Sequence, residues 1–567
     1  MTVFLFFSFA VILLRLFTLQ VISADTYKAL AEDQYTLAKK LSPSRGEIKI
    51  VDKFSATPVV VATNIDKDLL YAVPQNVANP KDAAEKLAPI LGIKPEDILA
   101  KLSDTSKKYV PIKKQLTDEE ETKIKNLRLQ GLAFDTETLR FYPEKNFLSQ
   151  VLGFIGFRDS DNQTKEGLYG IEKFFNDRLK GAPGFISQEK DTGGAWIFGT
   201  KRQLKPATNG DNLVLTIDKS IQFKAETVLS AAVTNNQADS GSIIVMDAKT
   251  GAILAMANSP SFDPNQYNKE SNPAVYSNLA TIGNYEPGSV FKAITMAGAI
   301  DEGKVSPETT YVDTGQVIID GYTIKNSDGR AYGTQTMIQV LDASLNTGAI
   351  FAKEKLGNKD FAKYVKKFGF GKTTGIELSE TKGDTKNLDG KVGVNFDTAS
   401  FGQGISVTPI QLVQAYDALA NGGKMMKPFL VQSIIDPNGK ATNTQPQILD
   451  QVISAQTASV VSAMLVDVVE RGHGKKAAVP GYYVAGKTGT AQVPRKSSKG
   501  YEENNNIGSF VGYAPVENPK FVMLVRINHP RTVKFAESTA APAFGEVAKF
   551  ILNYYNIPPT RPITSKK

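Results

Sequence analysis

The first 22 residues form a long apolar run. Val3 to Leu14 carries no charge, Arg15 interrupts the run, and apolar residues continue to Ile22. About 20 apolar residues span the hydrocarbon core of a membrane, and this run supplies that length. Arg15 lies past the middle, where a charge costs roughly 2.5–3.5 kcal/mol unless its side chain reaches the interface. The pattern predicts a membrane anchor over residues 1–23, with a cleaved signal peptide as the alternative.

Beyond the anchor, short apolar segments alternate with polar turns as far as about residue 207. Apolar residues that recur every three or four positions predict helices, and those that alternate or run together predict strands. Polar residues and glycine are concentrated from Asp159 to Asn209, which predicts loops and a connector. The elements predicted before that stretch are a polar helical segment at Asp25–Leu41, strands at Ile48–Val51 and Val59–Ala62, and helices at Asp82–Leu91 and Pro95–Leu102.

From about residue 208 the pattern is that of an α/β domain. The strand Asn212–Asp218 leads to an amphipathic helix, Lys219–Val233, and a hairpin of Gly241–Asp247 with Ala252–Met256 follows. A mainly helical region extends from about residue 289 to residue 423. Strands and a last helix return near the end, at Tyr482–Gln492, Ser509–Tyr513, Phe521–Ile527 and Ser538–Tyr555. We therefore expect one sheet built from strands at both ends of this region.

The composition excludes several kinds of chemistry. The 567 residues contain no cysteine, which excludes disulfides, thiolate nucleophiles, iron–sulfur clusters and cysteine-ligated zinc. His473 and His529 are the only histidines, and neither lies in a setting that indicates a Ser-His-Asp triad. A catalytic base is therefore expected to be lysine, aspartate or glutamate. The net charge of +8 fits an anionic surface or a solvated lysine-rich face, and no basic block with interleaved aromatics indicates nucleic-acid binding.

One Ser-x-x-Lys motif lies in a setting that favours catalysis. Ser289 and Lys292 follow a Pro-Gly dipeptide that marks the start of an apolar helix, whereas Ser379-x-x-Lys382 lies in a polar stretch. At a spacing of three residues the two side chains share one helix face, so the amine lies near the hydroxyl. A desolvated lysine loses its charge and can act as a general base. Taken alone the motif is weak, because a capping serine beside an exposed lysine has the same pattern.

Two further motifs follow in an order that strengthens the first. Ser344-Leu-Asn346 lies between two predicted helical stretches, where its hydroxyl can shuttle a proton and its amide can bind a substrate amide. Residues 487–490, Lys-Thr-Gly-Thr, lie in a β-branched strand, where Gly486 and Gly489 remove side-chain bulk beside a substrate backbone. The order Ser-x-x-Lys, Ser-x-Asn, Lys-Thr-Gly is typical of serine β-lactamases and penicillin-binding proteins.

With these motifs and their flanking segments, the chain resembles a class B penicillin-binding protein over nearly its whole length. SRGEI at 44–48, RFYPEKNFLSQVLGFIG at 140–156 and ASFGQGISVTPIQL at 399–412 are similar to segments of that family. The resemblance implies an α/β transpeptidase domain of the serine β-lactamase type, with an antiparallel sheet and a helical subdomain. An α+β pedestal domain of dimerisation type and one amino-terminal transmembrane helix would precede it. The implied bounds are an anchor at 1–23, a pedestal at 24–207, a transpeptidase domain at 208–558 and a basic tail at 559–567.

The resemblance also implies a catalytic role for five motif residues. Ser289 would attack the penultimate D-Ala of a stem peptide and form an acyl-enzyme. Lys292 would take the proton of that serine, and Ser344 would relay a proton towards the leaving D-Ala. Asn346 would hold the substrate amide, and Lys487 would supply positive potential.

The remaining implied roles concern substrate binding. Thr488, Gly489 and Thr490 would form the substrate-binding strand, with the two threonines on the terminal carboxylate. The backbone N–H groups of Ser289 and Thr490 would form the oxyanion hole. No metal and no cofactor is implied.

The implied function is the cross-linking of peptidoglycan stem peptides that end in D-Ala-D-Ala, by an enzyme that β-lactams acylate. Asn346, as the third residue of the second motif, favours the division or sporulation branch of the family. The implied partners are the cytoplasmic membrane, a membrane glycan polymerase and divisome proteins, with a single-pass anchor, an extracytoplasmic catalytic domain and no nucleic acid. A D,D-carboxypeptidase of the same fold, a non-enzymatic β-lactam sensor and a division scaffold are the alternatives.

Overall fold

The computed structural model of the protein describes most of the chain beyond the expected anchor. The described residues are 36–55, 57–158, 165–189, 203–495 and 500–563. The expected anchor over residues 1–23 lies outside them. Within the described residues no helix has the length and apolar character of a membrane span.

The chain forms two compact units. Of the described residues, those within 47–176, 213–435 and 441–563 form the larger unit. Those within 36–46, 177–212 and 436–440 form the smaller unit. The residues of all three sequence motifs belong to the larger unit.

The strands are numbered in chain order. Those before residue 210 are β1 (Thr36–Leu41), β2 (Ile48–Val51), β3 (Val59–Ala72), β4 (Val110–Lys113), β5 (Leu132–Phe141), β6 (Ile155–Phe157), β7 (Lys165–Gly167), β8 (Gly184–Glu189) and β9 (Gln203–Lys205). Those after it are β10 (Asn212–Asp218), β11 (Ser240–Asp247), β12 (Ile253–Ser259), β13 (Thr310–Asp313), β14 (Gln316–Ile319), β15 (Tyr322–Lys325), β16 (Gly333–Thr336), β17 (Lys424–Met426), β18 (Val431–Ile435), β19 (Ala441–Asn443), β20 (Ile448–Gln451), β21 (Ala485–Pro494), β22 (Tyr501–Ala514) and β23 (Phe521–Asn528).

The α-helices are numbered in the same way. Those before residue 210 are α1 (Pro80–Leu91), α2 (Pro95–Ser103), α3 (Asp118–Leu127), α4 (Ser149–Leu152), α5 (Gly170–Phe174) and α6 (Asn176–Leu179). Those after it are α7 (Lys219–Asn235), α8 (Leu279–Ile282), α9 (Lys292–Asp301), α10 (Met337–Asp342), α11 (Asn346–Leu356), α12 (Asn358–Lys367), α13 (Gly393–Ser400), α14 (Pro409–Ala420), α15 (Ala455–Glu470) and α16 (Ala540–Tyr554). Short 3-10 helices occur at Pro74–Asn76, Pro264–Lys269, Pro273–Tyr276, Gly288–Phe291, Lys386–Leu388, Lys475–Ala477 and Ala536–Ser538.

A five-stranded antiparallel sheet, in the order β12-β11-β23-β22-β21, carries the third motif on its edge strand β21. β11 and β23 are buried along almost their whole length. Ile221 of α7, Val525 of β23 and Phe544 of α16 belong to one buried apolar cluster. β11 and β12 come from the start of the region and β21 to β23 from its end. The expectation of one sheet from both ends is therefore confirmed.

The other large sheet of the same unit has the order β19-β18-β10-β2-β3-β4, with β5 also paired to β3. β2 runs parallel to β10 and antiparallel to β3. Leu87, Ile98 and Ile124 from α1, α2 and α3 pack in one apolar cluster with Leu70 of β3. The two helices expected here are confirmed as α1 and α2, each slightly longer than the apolar pattern indicated.

The region expected to be mainly helical supplies α9 to α14, but it also contains strands. The helical interpretation is wrong between Thr310 and Thr336, where β13 pairs with β16 and β14 pairs with β15. Asp320 and Gly321 connect β14 to β15 and have φ values of 49° and 80°. Such a two-residue turn matches the twist of a hairpin, and an Asp-Gly pair between segments of alternating hydrophobic residues is its usual sequence signal.

The smaller unit contains a three-stranded antiparallel sheet in the order β1-β8-β9. The helical interpretation of Asp25–Leu41 is wrong for residues 36–41, which form β1, and residues 25–35 lie outside the described part. The loop interpretation of Asp159–Asn209 is wrong where that stretch forms β7, β8, β9, α5 and α6. The pairing partner of β1 lies far along the chain, so local composition does not reveal it.

Candidate active site

Ser289 lies in a single 3-10 turn, Gly288–Phe291, that leads directly into α9. The sequence pattern indicates a helix that begins at Ser289, but the α-helix begins at Lys292. Gly288 has a φ of +59°, and a Cβ on it would lie 3.3 Å from the Cβ of Ala491. Glycine is required because the turn passes close to β21 in a left-handed conformation.

Ser344 is the point at which two lysine amines meet. It lies in the turn between α10 and α11 with a φ of +55°, which is sparsely populated by residues other than glycine. Lys292 Nζ donates hydrogen bonds to the carbonyl oxygen of Ser344 at 2.5 Å and to its Oγ at 3.3 Å. Lys487 Nζ donates to the same Oγ at 3.1 Å. The fold thus joins all three motifs through one hydroxyl.

Both amines are closed off from solvent, since Lys292 is 1% exposed and Lys487 is 0% exposed. Burial lowers the pKa of Lys292 well below its ordinary value, and the nearby charge of Lys487 lowers it further. Burial also lowers the pKa of Lys487 to about 7, against an opposing effect of Asp342. A neutral amine at Lys292 is able to accept a proton.

Asp342, two residues before Ser344, raises the pKa of Lys487 and so opposes the effect of burial on that amine. Burial, followed by the neighbouring Asp467 carboxylate, raises the pKa of the Asp342 carboxyl. Asp467 in α15 also forms an ion pair with Arg471 at 2.5 Å. The pKa of Lys487 therefore depends on Asp342 of α10, and the pKa of Asp342 depends in turn on Asp467 of α15.

The third motif lies on β21, which is hydrogen-bonded to a neighbouring strand on one side only. Thr490 Oγ1 accepts the N–H of Ala536 at 3.1 Å. A Cβ on Gly489 would lie 2.9 Å from the carbonyl oxygen of Pro287, and one on Gly486 would lie 2.5 Å from the ring of Phe510. The space that the sequence pattern assigned to a substrate backbone is filled there by protein atoms. The two glycines allow β21 to pack closely against its neighbours.

A cavity of about 230 Å³ brings Ser289, Ser344, Thr488 and Thr490 to one surface. Lys292 and Lys487 do not line the cavity, but the amines of both donate hydrogen bonds to Oγ of Ser344, which does. The cavity is also lined by residues that sequence reasoning did not identify, namely Ser327, Asp328, His473, Phe535 and Glu537.

Asn346 begins α11 and is held by a buried polar network. Its Nδ2 donates to the carbonyl oxygen of Lys325 at 2.8 Å. Its N–H and that of Thr347 donate to Oδ1 of Asn326 at 2.9 and 3.3 Å. Nδ2 of Asn326 donates to both carboxylate oxygens of Asp313 at 3.1 Å, and Oγ1 of Thr347 donates to Asp313 at 2.6 Å. Residues at the ends of β13 and β15 therefore fix the position of the second motif through these hydrogen bonds.

His473 is a cavity-lining residue that the sequence did not indicate. Its Nδ1 lies 2.8 Å from Oε2 of Glu537, and both side chains line the cavity that contains Ser289. His473 follows α15, and Glu537 lies in the 3-10 helix Ala536–Ser538. The two residues are 64 positions apart. No local pattern in the sequence indicates that they meet.

Comparison with known families identifies the family of the chain. The model described as "Penicillin binding protein transpeptidase domain" matches residues 241–549, which is more than half of the chain. The chain belongs to the class B penicillin-binding proteins. The model described as "Penicillin-binding Protein dimerisation domain" matches residues 40–215. The family and the combination of a transpeptidase domain with a preceding pedestal domain, both expected from the sequence, are therefore confirmed.

Named relatives and solved structures of penicillin-binding proteins match almost the whole chain. Stage V sporulation protein D of Bacillus subtilis is 35% identical over 99% of this chain and 86% of the relative. Peptidoglycan D,D-transpeptidase FtsI of Escherichia coli K12 is 30% identical over 98% of this chain and 92% of the relative. The structure of penicillin binding protein 2X from Streptococcus thermophilus has a TM-score of 0.75 at 26% identity, covering 92% of this chain and 80% of that one. Penicillin binding protein 3 from Mycobacterium tuberculosis, complexed with aztreonam, has a TM-score of 0.71 at 26% identity, covering 93% and 100%.

Proposed function

We propose that this penicillin-binding protein is a peptidoglycan D,D-transpeptidase that cross-links stem peptides through an acyl-enzyme on Ser289. The observation that carries the proposal is the meeting of two buried lysine amines at Ser344, in the cavity lined by Ser289. A buried amine without its charge is a proton acceptor, and a nucleophilic serine needs one. The relatives named as D,D-transpeptidases support the same reading.

In the first step, Ser289 Oγ attacks the carbonyl carbon of the penultimate D-Ala, and Lys292 takes the serine proton. The C–O bond forms as the peptide C–N bond breaks, and a proton passes through Ser344 to the nitrogen of the leaving D-Ala. The N–H groups of Ser289 and Thr490 stabilise the oxyanion, where the loss of one donor typically costs about 10²–10³ in rate.

The other motif residues hold the substrate. Thr488 and Thr490 bind the terminal carboxylate, to which the amine of Lys487 contributes positive potential. Gly489 keeps β21 close to the Ser289 turn. Asn346 accepts the substrate N–H through its side-chain oxygen while its Nδ2 stays on the carbonyl of residue 325.

In the second step, an amine of a neighbouring stem peptide takes the acyl group and completes the cross-link. β-Lactams acylate the same serine because they resemble the D-Ala-D-Ala end. We place the enzyme in the cell membrane, with an anchor at 1–23, a pedestal at 24–207, an extracytoplasmic transpeptidase domain at 208–558 and a basic tail at 559–567. A role in division or sporulation, with a membrane glycan polymerase and divisome proteins as partners, is supported by Asn346 and by the sporulation protein among the relatives.

Intact-protein mass spectrometry after exposure to penicillin tests the nucleophile. We expect one covalent adduct on the wild-type protein and none on Ser289→Ala. Ser379→Ala, in the other Ser-x-x-Lys context of the same region, is the matched control and should label as the wild type does. An adduct on Ser289→Ala would remove the nucleophile assignment.

A second measurement separates transfer from hydrolysis. With a D-Ala-D-Ala peptide as donor and a stem peptide with a free side-chain amine as acceptor, a transpeptidase yields the cross-linked amide. Hydrolysis alone, at every acceptor concentration, would identify a D,D-carboxypeptidase. An adduct without turnover of either kind would identify a sensor or a scaffold.

A further inference from the structure

His473 and Glu537 form the only histidine–carboxylate pair among the described residues that line the Ser289 cavity. Their side chains are 52% and 40% exposed, so an incoming molecule can reach both. The other histidine, His529, pairs with Asp239 at 2.9 Å and contributes nothing to the lining of this cavity. The chain therefore places one of its two such pairs at the catalytic cleft.

The position of the pair along the cleft is set by β21. The N–H of Ala536, directly before Glu537, donates to Oγ1 of Thr490 at 3.1 Å. Under the proposed function, Thr490 holds the carboxylate of the D-Ala that leaves. Because the attacking amine approaches the acyl carbon along the path by which the leaving amine departs, the pair borders the path of the second substrate.

The charges around the cleft indicate which kind of molecule the pair would bind. An acceptor amine arrives mainly as an ammonium ion, since such amines have pKa values near 10. The two buried lysines do not attract a cation. Asp328, another carboxylate in the cavity, already accepts the hydroxyl of Tyr332 at 2.6 Å and the N–H of Arg330 at 3.1 Å. Glu537, which lies 2.8 Å from Nδ1 of His473, is the other carboxylate of the cavity lining and is placed to attract the ammonium ion.

The hydrogen bond also defines the free nitrogen of the imidazole. A neutral histidine that donates through Nδ1 to a carboxylate presents Nε2 as a proton acceptor. An ammonium ion must lose one proton before it can attack an ester. Neither Lys292 nor Ser344 is needed for that loss, because their path serves the proton released during the attack itself.

We propose that His473 and Glu537 form the acceptor subsite for a primary ammonium group of a neighbouring stem peptide. This inference rests on the proposed function. Glu537 holds the ammonium, and Nε2 of His473 takes one proton and passes it to solvent, which leaves a neutral amine. The amine nitrogen then bonds to the acyl carbon as the C–O bond to Ser289 breaks. The second proton of the amine passes through Ser344 to the serine oxygen.

The test measures how the acyl-enzyme partitions between transfer and hydrolysis. The full chain reacts with a D-Ala thioester donor in the presence of a synthetic stem peptide that has one free side-chain amine, and both products are quantified by mass spectrometry. Each value is normalised to the acyl-enzyme trapped in that variant. The same peptide with an acetylated amine defines the background.

We expect the transfer-to-hydrolysis ratio to fall about 100-fold in His473→Gln, as for the loss of a positioned proton acceptor, and to fall clearly in Glu537→Gln as well. His529→Gln removes the other histidine of the chain and should keep the wild-type ratio. A fall of less than threefold in either cleft variant overturns the inference. If the wild type forms no acyl-enzyme, the proposed function itself is wrong. That outcome differs from failure of the inference alone, because the protein then forms no adduct even with penicillin.

Discussion

The hydrogen-bond network of Asn326 supports the second motif, and removing that side chain tests whether the network positions the motif for catalysis. Asn326→Ala removes the acceptor of the N–H groups of Asn346 and Thr347 and the donor that reaches the carboxylate of Asp313. Asn326 is 4% exposed and Asp313 is 2% exposed, so water replaces these contacts poorly. A buried polar group left without a partner costs about 1–3 kcal/mol. With partial relaxation, we expect the free energy of unfolding to fall by about 2–4 kcal/mol.

The same change should slow catalysis, because the start of α11 loses its support next to Ser344. A displacement of about 1 Å at a reacting group costs about 10²-fold in rate. We therefore expect the second-order rate constant for acylation by a fluorescent penicillin, measured by stopped flow, to fall about 100-fold. Asn272→Ala is the matched control, because that side chain accepts the N–H of Ala274 at 3.1 Å in an exposed segment. It should change neither quantity appreciably.

An exchange of the two partners sharpens the test. Asn326→Asp alone places a second buried carboxylate beside Asp313 and should be at least as harmful as Asn326→Ala. The double variant Asp313→Asn with Asn326→Asp restores a donor–acceptor pair between the same positions and should recover part of both losses. If Asn326→Ala acylates within threefold of the wild-type rate despite its lower stability, the network supports the fold and does not position the second motif.

Three further predictions concern the titratable groups. Lys292→Met should slow penicillin acylation at least 10³-fold because the proton acceptor is lost, and a rate within tenfold of the wild type, measured by mass spectrometry, would contradict that role. Burial lowers the pKa of Lys292 well below its ordinary value and that of Lys487 to about 7. The acylation rate should therefore rise with pH as Lys292 loses its proton and fall above about pH 7 as Lys487 loses its own. In Lys487→Arg the fall should move to higher pH, and an unchanged profile would exclude Lys487 as the cause of the fall. Burial raises the pKa of Glu226 from 4.5 to about 7, so its protonated form stabilises the fold fully below pH 4.5 and this contribution is lost as the pH rises through 7. Glu226→Gln can still accept the N–H of Leu148, so in urea unfolding it should be more stable than the wild type by about 3 kcal/mol at pH 8 and show no such gain at pH 4. A variant as stable as the wild type at both pH values would refute the raised pKa of Glu226.

Much of the larger unit was predictable because its elements carry local signals. The helix α7 follows Asp218, whose side chain accepts N–H groups at its start, and its apolar residues recur at helical spacing. The hairpin of β11 and β12 contains a turn at Gly251, which has a φ of +82°. β1 and β8 were missed because strand pairing depends on a partner segment far along the chain. β14 and β15 carried a local turn signal that was outweighed by the helical segments around them.

The order of the three motifs identified the family and the residue types of the reaction. That information is local, since a serine and a lysine three residues apart lie on one turn wherever the chain folds. It does not include the state of the lysine. Lys292 has a lowered pKa only because packing removes it from solvent and brings a second lysine towards it. Desolvation is a property of the assembled core and has no counterpart in the spacing of residues.

The sequence by itself therefore determined the reaction class, the nucleophile expected to carry it, and the two kinds of domain. Only the tertiary structure decided which groups share the cleft. Ser344 meets Lys292 across 52 residues and Lys487 across 143, and His473 meets Glu537 across 64. Such contacts arise when distant elements pack against one sheet and exclude water together. The histidine and the glutamate carried no motif, so their pairing became visible only in the folded chain.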